Sequence, residues 1–459
     1  MKMSQEKLHW SVTAITPIHI TNNTFLQEEK DFYVEAGILH RINYPLLLTM
    51  IPEEEFDSCL SQIKNAGIRS LVPKPNKKEK KTNKSPTEDW KQILRSKVGI
   101  EESDQDSQEE DGEQENTEKS LLEMSEIYRC NLDFSKEEAY GKIQEMAVDT
   151  FGRVFIAGSS LKGALRTALY FFYLSQHPHV LSRLRFTWTE DPLEADYPLF
   201  LEMTDMVRKN VRKDFFRQLC VQNTNLIPSY ESIKVYQLKI LNIGLADDEE
   251  QVLWKKGMKQ SVSSFKEAET LCWEMIAPQT RFHTEIIIDH DLKDIFYQEK
   301  QSPAFRFSSQ NIMQSLRAFG MSIAQKEWEF AQKYNISFLK DFYQDILSKA
   351  KNSQEGKEAY IPIGSGTPWH SKTIGNLLDR SSLDSIRRHF FQYMGKFVHN
   401  TCQASFNGQR VRKGVCPRCA KLLRSDKLSS VDPFPKTRHI IFQEGQPVLP
   451  PGWIKICAD

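Results

Sequence analysis

The sequence predicts an α+β fold in which strand–helix–strand units occur twice. Three observations support this: an opening segment with alternating apolar residues, a glycine-rich turn followed by helical periodicity near residue 158, and a second strand that runs into glycines near residue 364. Each of the two units has its own glycine turn. Two tandem ferredoxin-like halves explain this order of elements.

The predicted elements are justified in chain order by their apolar periodicity. The opening strand carries apolar residues at one parity from Leu8 onward and ends in Thr16-Pro17-Ile18-His19-Ile20. The remaining predictions are a helix over residues 44–65, strands at Ser232–Ile243 and Arg281–Ile288, a long helical region over residues 309–350, a strand at Tyr360–Ile363 and a closing turn and strand over residues 448–456.

The chain of 459 residues has room for two or three domains. We expect the first part of an N-terminal ferredoxin-like domain at 1–73, a mobile charged insertion at 74–119, the remainder of that core with the glycine-rich loop at 120–300, and a helical and C-terminal ferredoxin-like part at 301–459. No run of 18 apolar residues suggests a membrane span, and the polar start does not resemble a signal peptide. The eight cysteines show no disulfide framework, so a reducing cytoplasm is expected.

The net charge of zero hides a strong segregation of charge. Residues 101–118 contain ten acidic residues and no Lys or Arg, so the rest of the chain carries about +10. A lysine-rich stretch, Pro73–Lys84, comes directly before them. Such polar segments bury too little apolar surface to order themselves, so a solvated linker is expected. An alternative role is to mimic nucleic acid and shield a basic groove.

The most informative motif lies at the start of a predicted helix. The sequence Gly158-Ser159-Ser160-Leu161-Lys162-Gly163-Ala164-Leu165-Arg166 follows the apolar run 154–156, which is typical of a short buried strand. A strand, a glycine turn and a helix start direct free backbone N–H groups and the positive end of the helix dipole outward, which suits a phosphate. Lys162 and Arg166 share one helix face because they are four residues apart. The motif therefore predicts an anion site, while a turn capped by Ser159 or Ser160 remains the alternative.

Nucleotide-binding motifs do not match this segment. A P-loop needs a lysine directly after its second glycine, followed by Ser or Thr. Here Lys162 precedes Gly163, and Ala164 follows it. No G-x-G-x-x-G pattern fits either, so a bound nucleotide is the weaker hypothesis.

A basic segment lies towards the C-terminus. Residues 385–425 contain nine Lys or Arg and no acidic residue, with five interleaved aromatic residues. Basic groups attract a nucleic-acid backbone, and aromatic rings offer surfaces on which bases stack. A solvated basic surface is the alternative.

The same segment contains four metal-ligand candidates: His399, Cys402, Cys416 and Cys419. Two short pairs separated by a loop of about a dozen residues are typical of a tetrahedral zinc knuckle. The sequence therefore predicts structural Zn2+, with His439 or Cys457 as alternatives to His399. A redox C-x-x-C is the rival, but the expected strand–helix context is missing.

These motifs resemble the RAMP (repeat-associated mysterious protein) superfamily of CRISPR-associated RNA-binding proteins. Four segments carry the resemblance: Thr16-Pro17-Ile18-His19-Ile20, the motif Gly158–Arg166, Ile363-Gly364-Ser365-Gly366 and Gly452-Trp453-Ile454-Lys455. Within the superfamily, the sequence is most similar to the fifth Csm subunits of type III-A effector complexes. It departs from them at Ala157, where proline is usual, and in the acidic insertion and the zinc knuckle.

The resemblance implies a tandem ferredoxin-like (RRM-like) RAMP fold and a non-catalytic subunit that binds the sugar-phosphate backbone of CRISPR RNA. The implied partners are CRISPR RNA, nearby target RNA, the repeated Csm backbone subunit and other Csm subunits, in a prokaryotic cytoplasm. The subunit caps the backbone filament towards the 3′ end of the guide. With the basic segment included, the predicted RNA-binding residues are His19, Gly158, Ser159, Ser160, Lys162, Gly163, Arg166, Lys372, Arg410 and Arg412.

Two other functions remain open. The resemblance also leaves open an endoribonuclease that processes precursor CRISPR RNA or cuts target RNA. Another branch of the superfamily cleaves precursor CRISPR RNA without metal, and such cleavage needs a general base and a general acid, usually histidines. Repeated backbone subunits cut target RNA with an aspartate on a loop, and no such aspartate is identified in this sequence. His19, His370 and His389 are present, but no spacing indicates that they converge. An unrelated zinc-ribbon adaptor for nucleic acid is the third hypothesis.

Overall fold

The computed structural model describes residues 5–51, 53–68, 124–134, 142–178, 181, 215–246, 249–257, 260–290, 307–379, 382–383, 397–399, 404–406 and 435–458. The predicted acidic insertion and most of the basic segment lie outside these residues. The chain divides into two compact units. The larger unit comprises Met1–Glu28, Val34–Arg41 and Ile127–Asp459, and the smaller one comprises Glu29–Tyr33 and Ile42–Glu126.

The elements are numbered in chain order. The strands are β1 (Gln5–Ala14), β2 (Thr21–Leu26), β3 (Phe32–Glu35), β4 (Ile38–Ile42), β5 (Glu126–Leu132), β6 (Ile143–Met146), β7 (Arg153–Val154), β8 (Leu219–Val221), β9 (Ile227–Pro228), β10 (Ile233–Ala246), β11 (Glu249–Lys256), β12 (Gln260–Val262), β13 (Leu271–Ile276), β14 (Arg281–Asp289), β15 (Glu358–Pro362), β16 (Phe397–His399), β17 (Ala404–Phe406), β18 (Thr437–Gln443), β19 (Gln446–Leu449) and β20 (Trp453–Ala458). The α-helices are α1 (Tyr44–Met50), α2 (Phe56–Ala66), α3 (Gly158–Gln176), α4 (Ser229–Ser232), α5 (Ser309–Lys333) and α6 (Ser337–Asn352). Short 3-10 helices lie at Glu53–Glu55, Phe215–Gln218, Phe265–Glu267, Trp369–Lys372 and Gly375–Leu377.

The first sheet is antiparallel, with the strand order β15-β20-β1-β14-β8. Its inner face is apolar because alternate residues point to the same side of a strand. Trp10 and Val12 of β1 are buried there with Phe282 of β14 and Ile456 of β20. The outer face of the same strands is more polar and more exposed. The opening and closing segments are also joined beyond the ladder, because Trp453 donates its backbone N–H to Thr16 Oγ1 at 2.9 Å.

Helix α5 packs closely on this sheet at a glycine. A Cβ added to Gly320 would lie 1.8 Å from the carbonyl oxygen of Tyr360 in β15. Only a residue without a side chain allows this approach of helix and strand. Helix α3 packs against α5, where the rings of Phe171 and Phe319 lie 5.4 Å apart. The two helices therefore pack on each other, with α5 also against β15 and α3 also against β8.

The second sheet has eleven strands arranged around the long strand β10. The first half of β10 pairs antiparallel with β13, and its second half pairs antiparallel with β18 and β11. β5 pairs with β10 and β6 pairs with β13 in parallel. β2 pairs with β6, and this pairing brings the segment after β1 to the sheet edge.

The smaller unit has its own apolar core around helices α1 and α2. Buried members of that core are Tyr33, Ile42, Leu47, Ile51, Ile63 and Ile68. Asn43 caps α1, since its side-chain oxygen accepts the backbone N–H of Leu46 at 3.1 Å. Gly67 ends α2 with a φ of +75°, a conformation that glycine adopts without steric cost.

The predicted α+β class is confirmed, with changes at element ends. The predicted helix over residues 44–65 is two helices, because Ile51 has extended backbone as expected for a residue before proline. The predicted helical region over residues 309–350 breaks between α5 and α6, where Asn335 has a φ of +53°. The opening strand ends at Ala14, earlier than predicted. The tandem ferredoxin-like arrangement and the four-segment division of the chain stay predictions.

Candidate nucleic-acid interface

The predicted phosphate motif starts helix α3 without a side-chain cap. Ala157 has extended backbone, and neither Ser159 nor Ser160 caps the helix, so the capped-turn alternative is wrong. The N–H of Gly158 donates to Asn223 Oδ1 at 2.8 Å, and the N–H of Ser160 donates to the carbonyl of Ala157 at 2.9 Å. Within the described part of the chain, the N–H of Ser159 has no acceptor. The backbone donors for an anion are therefore fewer than the motif suggested.

The two glycines of the motif lie in different structural surroundings. A Cβ on Gly158 would lie 2.3 Å from the carbonyl oxygen of Val221, so this glycine lets the helix start press against the end of β8. A Cβ on Gly163 would meet no atom within 4 Å. Gly163 is exposed and faces open space. The first glycine therefore serves packing, and the second lies at an open surface.

That open surface is a cleft of about 420 Å3 that brings the two predicted glycine turns together. One wall is the side of α3 that carries small residues at helical spacing, and the other is the turn after β15. The cleft is lined by Ile20, Thr21, Ser160, Gly163, Ala164, Thr167, Pro362, Ile363, Gly364, Ser365, Thr367, Ser371 and Lys372.

The second glycine turn is fixed by the segment that follows β1. Ser365 donates its N–H to the carbonyl oxygen of His19 at 2.8 Å. Gly364 has a φ of +78°, and a Cβ there would lie 2.5 Å from the same oxygen. Gly366 also has a φ of +78°, and a Cβ there would lie 2.9 Å from the ring of Trp273. Glycine is needed at both positions for conformation and for space.

His19 lies in the interior, where its side chain contacts no solvent. Its Nδ1 donates to the carbonyl oxygen of Glu274 at 2.7 Å, and its ring lies 4.9 Å from that of Trp273. Burial lowers the pKa of His19 to about 4, so the imidazole is neutral at pH 7. The prediction that the His19 side chain lies at the RNA-binding surface is therefore wrong. The segment that follows β1 pairs with β13 through Ile18 and Ile276, and the His19 side chain is covered there. The backbone carbonyl of His19 instead positions the second glycine turn.

Lys372 is the one charged residue among the described residues that line the cleft. It is exposed, and partial burial of its ammonium group lowers its pKa. The neighbouring His370 is buried, and burial lowers its pKa to about 3, with Arg438 and Lys326 acting in the same direction. Of the two groups, only Lys372 is available to a ligand in the cleft.

Lys162 and Arg166 share one side of α3, but it is not the side that lines the cleft. The guanidinium carbon of Arg166 lies 5.1 Å from the ring centroid of Phe216 and 5.5 Å from that of Tyr170. Such cation–π contacts hold the guanidinium beside the rings. Ser159 is exposed next to these cations. The motif therefore presents Ser160, Gly163 and Ala164 to the cleft and its two cations to a second side of the helix.

A buried carboxylate network supports the strands behind the cleft. Glu274 accepts hydrogen bonds from the hydroxyl of Tyr128 and the N–H of Met146, both at 2.9 Å. Burial raises the pKa of Glu274 to about 7. In the same region Glu145 pairs with Arg41 at 2.9 Å and accepts from Asn22 at 2.6 Å. These bonds tie β6 and β13 to the residues that follow Thr21.

Several predicted site residues cannot be placed. Arg410, Arg412, Cys402, Cys416 and Cys419 lie outside the described residues, as does His389. His399 ends β16, which pairs with β17. The alternative ligands occur in different sheets, His439 in β18 and Cys457 in β20. In the described ranges, no group of three or more His, Cys, Asp or Glu side chains is arranged to hold a metal ion.

No helix among the described residues has the length and apolarity needed to cross a membrane.

Sequence reasoning missed part of the cleft. Ala164 and Thr167 extend the small-residue side of α3. The available signal was their spacing, since Ala164 lies four residues after Ser160 and Thr167 lies four residues after Gly163. Asn223, which holds the Gly158 N–H, had no signal because it is 65 residues away.

Comparisons with known proteins agree with this architecture. The sequence model of the RAMP superfamily matches residues 11–369. A chain from the cryo-EM structure of the Csm-crRNA-target RNA ternary complex in a type III-A CRISPR-Cas system matches with a TM-score of 0.54 and 16% identity, covering 98% of this chain and 100% of that one. The crystal structure of T.onnurineus Csm5 matches with a TM-score of 0.51 and 15% identity, covering 97% and 99% of the two chains. A search of curated proteins found no match. Because the family model matches more than half of the sequence, this chain belongs to the RAMP superfamily.

Proposed function

We propose that the protein is a non-catalytic CRISPR RNA-binding subunit of a type III, Csm-type interference complex. It binds the sugar-phosphate backbone across the start of α3 and caps the backbone filament near the 3′ end of the guide. The observation that carries this proposal is the meeting of two glycine-rich turns at one open cleft, with Lys372 inside it and Lys162 nearby on α3.

The shape of the cleft supports contact with a backbone more than with bases. Its walls are mainly glycine, alanine, serine and threonine, which let a chain approach closely, and its described lining includes no aromatic ring on which a base stacks. Phosphate contacts position a nucleic acid without reading its sequence. Sequence specificity then belongs to base pairing by the guide.

The likeness to known folds supports the assignment to a complex. One matching chain belongs to a structure that contains crRNA and target RNA, and the other is a Csm5. Both matches cover nearly the whole of both chains. By this likeness, the partners are CRISPR RNA, the repeated Csm backbone subunit, other Csm subunits and nearby target RNA, in a prokaryotic cytoplasm.

An endoribonuclease is the second candidate, and it rests on the histidines. A general base must be accessible and titrate near the working pH. His19 and His370 are both buried, and burial lowers their pKa values to about 4 and about 3. This supports binding without cleavage for the described part of the site.

We also propose a structural zinc ion held by His399, Cys402, Cys416 and Cys419. The support is the spacing of the four ligands and the basic segment around them. A closed site of four protein ligands stabilises a local fold and leaves no open position for hydrolytic chemistry. Arg410 and Arg412 then lie within the zinc-bearing segment and contribute to RNA binding.

The charge-reversed double variant Lys162→Glu/Lys372→Glu tests the proposal. Each lysine that neutralises a phosphate releases counterions, so log K for single-stranded RNA falls with log[salt] with a slope of about −0.7 per contact. We expect the variant to bind RNA at least about tenfold more weakly, with a salt slope that is about 1.4 units shallower. Fluorescence anisotropy over a salt series measures both quantities.

Lys351→Glu provides the matched control, since this exposed lysine lies in the last turn of α6 outside the cleft. It should change affinity far less than the double variant. Equal RNA affinity of the wild type and the double variant at low salt contradicts the proposal. Cleavage of RNA by the purified wild-type protein favours the nuclease instead.

A further inference from the structure

The proposed RNA-binding cleft carries two serine hydroxyls that have no hydrogen-bond partner among the described residues. Ser160 lines the cleft from α3, and Ser365 lines it from the turn after β15. Neither Oγ atom makes a hydrogen bond to any other described residue. Both residues are half-buried, so their hydroxyls lie at the cleft surface without being covered.

The other hydroxyls of the cleft are already engaged. Thr167 Oγ1 donates to the carbonyl of Gly163 at 3.1 Å, and Thr367 Oγ1 donates to the carbonyl of Gly364 at 2.9 Å. Ser371 Oγ donates to the carbonyl of Pro368 at 2.6 Å. Thr21 Oγ1 accepts the backbone N–H of Asn23 at 2.8 Å and the side-chain amide of Gln144 at 2.9 Å. Ser160 and Ser365 are thus distinguished from the hydroxyls that stabilise the walls.

The chemistry of the cleft is that of a sugar site. A serine hydroxyl is both a donor and an acceptor, which matches a ribose 2′-hydroxyl, also a donor and an acceptor. Ile20, Ala164 and Ile363 give the same cleft an apolar wall against which a sugar ring packs. Lys372 supplies one cation for an adjoining phosphate. A cleft built mainly for phosphates needs more cations than this one.

We propose that Ser160 and Ser365 hold the 2′-hydroxyl of one RNA nucleotide, so that this cleft distinguishes RNA from DNA. The inference rests on the proposed RNA-binding function and specifies the ligand group of that same cleft. The two serines come from the two glycine turns, and both turns must be in place for the pair to form. Gly163 lines the same cleft and leaves it open on the α3 side, because a Cβ added there would meet no atom within 4 Å.

The experiment combines sugar substitutions with serine variants. An unstructured single-stranded RNA is prepared as a series, each member with one 2′-deoxy nucleotide at a different position, and affinities are measured by anisotropy. One neutral hydrogen bond contributes about 0.5–1.5 kcal/mol, so we expect one position at which deoxy substitution weakens binding by about 3- to 10-fold in the wild type. In Ser160→Ala/Ser365→Ala, substitution at that position has no effect.

Two controls separate hydrogen bonding from other causes. A 2′-fluoro nucleotide keeps the RNA-like sugar pucker but cannot donate, so it should weaken binding nearly as much as 2′-deoxy. Ser159→Ala alters a neighbouring exposed serine outside the cleft lining, so the sensitive position should persist. Circular dichroism checks that the alanine variants fold, as expected for substitutions at half-buried sites whose side chains make no hydrogen bonds to described residues.

The outcomes that overturn the inference differ from those that overturn the function. RNA binding with equal affinity for DNA, or a deoxy-sensitive position that remains in the double alanine variant, refutes the assignment to Ser160 and Ser365. Failure of the wild-type protein to bind either RNA or DNA refutes the proposed function itself.

Discussion

At the residue scale, Gly158 and Gly163 belong to one motif but have opposite surroundings. A side chain at Gly158 meets the backbone of β8, whereas a side chain at Gly163 meets nothing. The sequence places both glycines in the motif, and only the fold separates their tasks. The role of Gly158 depends on its contact with Val221, which is distant in the sequence, so no local pattern indicates it.

Alanine substitutions at these two glycines should therefore have opposite effects on stability. Gly158→Ala forces a Cβ against the Val221 carbonyl and should lower the free energy of unfolding by about 1–3 kcal/mol, as overpacking does. Gly163→Ala, in an exposed helical position, should raise it by up to about 1 kcal/mol. Urea denaturation followed by circular dichroism measures both, and a stable Gly158→Ala variant contradicts the close approach seen here.

His19 and Glu274, joined by one hydrogen bond, should give stability opposite pH dependences. Burial holds the pKa of His19 at about 4, below its ordinary value of 6.5. Its contribution is thus complete above pH 6.5 and is lost as the pH falls towards 4. Burial raises the pKa of Glu274 to about 7 from 4.5, so its contribution is complete below pH 4.5 and is lost as the pH rises through 7.

Urea titrations at pH 7 and pH 5 test this pair. Between pH 7 and pH 5, protonation linked to His19 should lower the free energy of unfolding of the wild type by about 2 kcal/mol, and His19→Gln should not show this decrease. Protonation linked to Glu274 should raise the free energy of unfolding of the wild type by a similar amount, and Glu274→Gln should not show this increase because glutamine does not titrate. Glutamine keeps an oxygen that accepts the hydroxyl of Tyr128. Parallel pH profiles for the two variants argue against the opposite protonation behaviour.

At the element scale, strand and helix existence could be predicted more reliably than their ends and partners. The alternation at residues 281–288 and the helical spacing after residue 309 identify β14 and α5 because both signals are local. The pairing of β1 with both β14 and β20 depends on residues hundreds of positions apart, so no local pattern specifies it.

Helix α5 is tied to β18 by a buried ion pair that the sequence did not indicate. Arg438 Nε lies 2.5 Å from Glu327 Oε2, and Nη2 lies 2.9 Å from Oε1. Both side chains are buried, at 5% and 1% exposure. Arg438 also donates to the carbonyls of Pro435 and Thr437. The Arg438 guanidinium thus makes four hydrogen bonds, two of them to the carboxylate of Glu327.

Removing one partner of this pair should be costly. Glu327→Ala leaves the Arg438 guanidinium buried without its counter-charge, and we expect the free energy of unfolding to fall by about 3–5 kcal/mol. Asp345→Ala removes a surface pair with Lys349 on α6 and should cost at most about 0.5 kcal/mol. Thermal and urea unfolding compare the two, and similar losses would falsify the role given to the buried pair.

At the scale of the whole molecule, the cleft could be predicted only as separate motifs. The glycine turns at residues 158 and 364 are each visible in the sequence, but their meeting depends on His19, which anchors the second turn through its carbonyl. The predicted surface role of His19 was wrong for the same reason: the sequence shows the residue and not the strand that covers it.

The zinc proposal gives a prediction for the intact chain. Protein purified without added metal should contain about one equivalent of zinc, and Cys416→Ser should lose it, since a structural site needs all four ligands. Cys59→Ser, in the separate core of the smaller unit, should retain the metal. Elemental analysis measures the content, and a zinc-free wild type or a zinc-loaded Cys416→Ser variant contradicts the assignment.

The position of β20 between β15 and β1 has a consequence for synthesis on the ribosome. β1 is made first, yet its neighbour β20 and the bond from Trp453 to Thr16 become available 437 residues later. At about 5–20 residues per second, β1 waits about 20–90 s with that edge unpaired. An unpaired strand edge is prone to wrong pairing. Until β20 is made, β14 can pair with the opposite edge of β1 only, so the edge that faces β20 stays exposed for that whole interval.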